Sequence, residues 1–118
     1  MDGSWDLSKL WALDLPVSSL EVSTLSWQLD LPWWRVGDRW FAVAPSQVWA
    51  DPGRFADQWE RTMRADLGRP IHLRESERGP LILDGVHRLL KAAVEGRTRI
   101  SAVTVPRHRL PEISGAPT

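Results

Sequence analysis

The stretch Leu81-Ile82-Leu83-Asp84-Gly85-Val86-His87-Arg88-Leu89-Leu90-Lys91-Ala92-Ala93 passes from an apolar strand through an Asp-Gly turn into a helix that carries His, Arg and Lys. Branched aliphatics favour the strand, Gly85 gives the backbone freedom to turn closely, and the new helix begins with amides that have no partner inside it. Val86, Leu89, Leu90, Ala93 and Val94 recur at helical spacing and define a buried face. His87 and Lys91 then share one side, with Arg88 one residue round. Two cations near a positive helix end are unfavourable without an anion, so the pattern predicts a phosphate-type site formed by Gly85, Val86, His87, Arg88 and Lys91.

Working outward, Pro70-Ile71-His72-Leu73-Arg74 and Pro80-Leu81-Ile82-Leu83-Asp84 flank a polar turn and read as a hairpin. Gly96 is placed to end the helix in the left-handed conformation, and Arg99 to Val105 form a last strand. Upstream, Asp51 and Pro52 predict the start of a helix that runs through Phe55, Ala56, Trp59, Met63 and Leu67 to Gly68, with an Asp57 to Arg61 pair on its outer face. Trp33 to Val36 and Arg39 to Val43 around Gly37-Asp38 predict a small hairpin or two extended pieces. Leu10 to Val17 alternates as a first strand, and Ser18-Ser19 can cap a short helix towards Gln28 that ends at Leu31-Pro32, although the Val and Thr content of this segment leaves a strand open. These elements predict one small α+β domain over 10–110, a short mixed sheet with flanking helices, between a loose 1–9 segment and a disordered 111–118 tail.

Composition narrows the function classes. At 118 residues the chain is large enough for one modest core. Fifteen Lys and Arg balance fifteen Asp and Glu, so nucleic-acid binding by the isolated chain is not expected. Cysteine is absent, which excludes disulfides, thiolate metal sites, thiol catalysis and thiol cofactors. His72 and His108 lack partners at metal spacing, so no metal site built by the protein alone is expected. No leader-like or long apolar run is present, which gives the expectation of a cytoplasmic protein without membrane contact, and the Arg-over-Lys bias fits a bacterial-type origin. Eight Trp accompany no Tyr and two Phe; adjacent Trp33 and Trp34 would face opposite sides of an extended segment, which makes them a candidate interaction surface.

The run from Ile82 to Ala93, with Pro70-Ile71 before it and Gly96 and the strand through Val103 after it, resembles the ParB/sulfiredoxin superfamily over roughly residues 46 to 105. The resemblance implies a nucleotide-phosphate role for Gly85, His87 and Arg88, with Asp84 as a turn or metal-linked residue. ATP, ADP or CTP, with Mg²⁺, are the implied cofactors; haem is not. Val86 stands where sulfiredoxins carry the catalytic cysteine, so sulfinic-acid repair is excluded. The DNA-binding and dimerisation segments of ParB are not expected here, so neither is chromosome partition. Small members of the superfamily phosphorylate free serine with a carboxylate base; Glu21, Asp30 and Asp38 are available, Asp30 being favoured because apolar neighbours would desolvate it. Asp30 and Asp84 are thus the candidate catalytic residues. The alternatives are a non-enzymatic protein or peptide module using Trp33 and Trp34, a homodimer, and a DNA-associated accessory factor.

Overall fold

The computed structural model describes residues 5–114. In chain order the elements are α1 (Leu7–Ala12), β1 (Ser18–Glu21), α2 (Val22–Leu25), a 3₁₀ turn (Ser26–Asp30), β2 (Trp34–Val36), β3 (Arg39–Val43), α3 (Pro45–Ala50), α4 (Ala56–Arg64), β4 (Ile71–Arg74), β5 (Leu81–Asp84), α5 (Val86–Val94), β6 (Arg99–Val105) and a second 3₁₀ segment (Arg107–Ile113). The fold is α+β. The main sheet has the order β1-β6-β4-β5, with β4 and β6 parallel and the outer pairs antiparallel; β2 and β3 form a separate hairpin.

Helix α5 carries the chain from the end of β5 back to β6, and its apolar face closes the core. Leu89, Leu90 and Ala92 are fully buried, as are Ile71 and Leu73 of β4 and Ala102 of β6. Gly85 makes the approach possible. Its φ is +114°, and a Cβ there would lie 2.6 Å from Ile71 Cγ2 and 2.8 Å from Ile71 Cβ, well inside contact distance. The hairpin, α5, its Gly96 stop at φ +72° and β6 all follow the sequence pattern.

Four expectations are corrected. Leu10 does not open a strand: the Asp6 side chain accepts from the Lys9 amide at 3.2 Å and caps α1, which buries Leu10 with Val105 and Ile113. Ser18 and Ser19 take the strand alternative, as an edge strand on β6, instead of capping a helix, and the helical turn starts only at Val22, whose amide donates to the Thr98 carbonyl. Helix α3 was not anticipated. Pro45 occupies its first turn and Gln47 Oε1 accepts from the Ala44 amide at 2.8 Å, so Asp51 ends α3, and α4 begins at Ala56 and stops at Arg64. On α4 the pair that forms is Glu60 with Arg64.

The ends of the domain are also tied together, against the expectation of a loose 1–9 segment and tail from 111. Trp5 bridges to Ser114, and the Asp6 amide donates to the Ile113 carbonyl at 2.9 Å. The remaining parts of both segments, 1–4 and 115–118, lie outside the described residues.

Gln28 is fully buried yet polar. Its Nε2 donates to the Pro80 carbonyl at 3.0 Å while its Oε1 accepts from the Ile82 amide at 2.9 Å, so one side chain supplies β5 with the bonds a neighbouring strand would make. Gly85→Ala is expected to lower stability by about 2–4 kcal/mol through the positive φ and the Ile71 overlap, read as a fall in the urea midpoint.

Candidate functional site

The turn after β5 is organised by Asp84. Register places His72 opposite Asp84 across the β4–β5 pair, and the helical rise places Arg88 one turn further on. Asp84 Oδ2 accepts from Arg88 Nη2 at 3.1 Å and from Trp11 Nε1 of α1 at 3.0 Å, and lies 3.9 Å from His72 Nδ1. Arg88 Nη1 donates to the Pro70 carbonyl. The Arg88 and Asp84 side chains are 12% and 18% exposed, so this is a largely dehydrated ion pair in which every contact matters. The Arg69 guanidinium lies 5.4 Å from the centre of the half-exposed Trp11 ring.

The other predicted ligand-binding side chains are engaged elsewhere. His87 stacks on Trp34 with ring centres 4.3 Å apart, and its Nε2 donates to Gln58 Oε1 at 2.8 Å. Burial, reinforced by the Arg61 charge, pushes the His87 pKa down to about 4, so the ring is neutral at physiological pH. Lys91 Nζ donates to the carbonyls of Met63 and Ala65 at 2.9 and 2.7 Å, completing the C-terminal end of α4. The cations therefore find acceptors within the chain itself, and the crowd of donors at one opening is corrected to a divided set. Asp84 and Arg88 remain at the turn, while His87 and Lys91 fasten α5 to α4. Val86 is half-buried against the core.

Asp30 ends its 3₁₀ turn exposed, so the expected desolvation is absent. Trp34 is 8% exposed and Trp33 is half-buried with its Nε1 donating to the Gln28 carbonyl at 2.7 Å; neither forms the expected interaction surface. The most exposed aromatics among the described residues are Trp40 and Phe41 on β3.

Two features of the turn were not legible as site features. Trp11 reaches Asp84 across most of the chain, and sequence gave no signal for that contact. His72 comes opposite Asp84 only through a register shift between His72 and Leu73, since the regular pairing of Leu73 with Ile82 and Arg74 with Leu81 would set Leu83 there, and such a shift leaves no mark in the sequence pattern. Its Nδ1 is buried without a hydrogen-bond partner, and burial lowers its pKa despite the opposing Asp84 charge. Helix α5 starts with no side chain capping its first amides. Among the described residues, no group of three His, Cys, Asp or Glu side chains could hold a metal ion. No helix among them is long and apolar enough to cross a membrane. No family model matches the chain, and no curated protein or solved structure is significantly similar to it.

Arg88→Ala would leave Asp84 with a single hydrogen bond and the Pro70 carbonyl without its partner. A loss of about 3 kcal/mol is expected in urea unfolding, larger than its position off the main apolar face would suggest. His87 sets a pH dependence of the attachment of α5 to Gln58 and Trp34. Its folded pKa lies below the unfolded value, so its contribution is complete above pH 6.5 and is lost as pH falls from 6.5 towards about 4. The urea midpoint of the wild type should therefore drop between pH 7 and pH 5, and His87→Phe, which keeps the stack on Trp34, should flatten that drop.

Proposed function

We propose that the protein binds a phosphate-bearing ligand at the Asp84 to Arg88 turn. The observation that carries this reading is the buried, unpartnered Nδ1 of His72 beside a helix start that no side chain caps. Unsatisfied buried polar atoms are rare and costly; Nδ1 is itself closed off from solvent, so a ligand oxygen would relieve the cost through a turn of the His72 ring, whose side chain is 12% exposed. The amides at the start of α5 supply directional donors and a favourable dipole end for an anion. Arg88, with five N–H donors, retains capacity beyond its bonds to Asp84 and Pro70. The resemblance of Asp84-Gly85-Val86-His87-Arg88 to the phosphate turn of the ParB/sulfiredoxin superfamily supports a nucleotide such as ATP, ADP or CTP. Mg²⁺ would then enter with the phosphates, since no protein cluster among the described residues is arranged for it.

Binding is the reading the geometry supports, ahead of phosphotransfer. A transfer step needs a carboxylate placed to orient the acceptor hydroxyl. Asp84 is already committed to Arg88 and Trp11, and Asp30 is exposed on a different element.

The test is calorimetric titration of the wild type and His72→Phe with inorganic phosphate, ATP, ADP and CTP, with and without Mg²⁺. His72→Phe removes an unsatisfied polar atom and should leave stability equal or higher, while affinity falls about tenfold or more. Equal affinity in the two proteins, or no binding of any of these ligands to the folded wild type, would refute the assignment.

A further inference from the structure

Two side chains beside the phosphate turn, Trp11 and Arg69, are left unexplained by its internal bonds. Trp11 stands on α1, which is anchored by Leu10, fully buried against Val105 and Ile113. The N–H edge of the indole is held on Asp84 Oδ2 at 3.0 Å, yet 49% of the residue is exposed. A ring fastened by one edge and open to solvent loses little freedom on meeting a ligand.

Arg69 is exposed and forms no ion pair among the described residues. Its guanidinium lies 5.4 Å from the Trp11 ring centre, close to the outer limit of about 6 Å for a cation–π attraction, so it is held loosely. The next residue, Pro70, lends its carbonyl to Arg88, and the Arg69 charge reaches His72, where with Arg88 it opposes protonation. Two guanidiniums thus flank one carboxylate, which leaves surplus positive charge at the turn beside a half-exposed indole.

We propose, resting on the phosphate reading of this turn, that Trp11 is a stacking platform for a nucleobase and Arg69 a mobile grip on the attached phosphates, so that the ligand is a nucleotide in preference to free phosphate. Guanidinium and base exchange places: the phosphates draw Arg69 off the indole, and the base takes the face it vacates. An exposed cation–π contact near its distance limit is weak, whereas a charge-assisted bond from guanidinium to phosphate is strong, so the exchange is favourable. Asp84 bonds the Trp11 indole and the Arg88 guanidinium through the same oxygen, which sets the base and phosphate positions close enough for one sugar to join them. Every base has a π-face, so the platform selects nucleotides over inorganic phosphates without choosing the base.

Calorimetric titration of the full chain with ATP, CTP and inorganic tripolyphosphate, at one Mg²⁺ concentration, tests this. The wild type is expected to bind at least one of the nucleotides about tenfold more tightly than tripolyphosphate. Trp11→Phe keeps a ring and gives up the N–H donor, while Trp11→Gln keeps an N–H donor and gives up the ring. The preference for nucleotide should persist in the first and fall about tenfold in the second. The reverse order would mean that Trp11 acts only by holding Asp84, and would overturn the platform; should one variant fail to fold, the other decides. Arg69→Gln should weaken nucleotides and tripolyphosphate alike by about tenfold, and unchanged affinity there would overturn the grip. Tripolyphosphate bound as tightly as both nucleotides by the wild type would refute this inference and leave the phosphate reading standing, whereas no binding of any of the three would remove both.

Discussion

The pairing of Arg88 with Asp84 is the constraint around which the other elements are arranged. A guanidinium that is almost out of water must be given acceptors, and here they come from the end of β5 and the residue before β4. That requirement fixes where α5 leaves the sheet. It also brings β4 so close to the turn that only glycine fits at position 85. Asp84, having spare acceptor capacity, then recruits Trp11 and holds α1 against the sheet. One ion pair thereby joins an N-terminal helix, a central hairpin and the principal core helix.

The same pair alters the meaning of the charge pattern on α5. Cations near a helix N-terminus signal a missing anion, and the sequence pattern points to one. Much of that demand is met internally: Asp84 serves Arg88, the carbonyls of Met63 and Ala65 serve Lys91, and His87 is neutral. What is left at the turn is smaller and more specific than a cationic cluster. It consists of helix amides, the remaining capacity of one guanidinium and the unpartnered nitrogen of His72.

From Pro70 to Val105 the elements were legible because local pattern and tertiary role agree there. Alternation marks β4 and β5, a 3.6-residue period marks α5, and Gly96 ends it. The N-terminal half was not legible in the same way. The Asp6 cap turns the alternating Leu10 segment into a helix, Pro45 starts a helix ahead of Asp51, and Ser18 and Ser19 become a strand because β6 offers an edge at Ala102 and Ser101, far beyond any local window. Of the site, Asp84, Gly85 and Arg88 could be read directly. Trp11 and Gln28 could not, since their roles rest on contacts made across the chain. The tryptophans illustrate the limit: identical residues at 34 and 40 end up as core and as surface, separated by a bulge that leaves no mark in hydropathy.

The side-chain amide of Gln28 has a further effect on the behaviour of the molecule in concentrated solution. β5 is the outer strand at one side of the main sheet, and a bare outer strand is a template on which another chain can add. Gln28 occupies the bonding positions of Pro80 and Ile82 and closes that template from within. The closure belongs to a single 3₁₀ turn, Ser26–Asp30, whose Leu29 is packed into the main core, so the edge stays closed for as long as that packing holds. Conditions that loosen this turn would uncover the β5 edge and the apolar Leu29 together, which makes strand addition at β5 a route to aggregation.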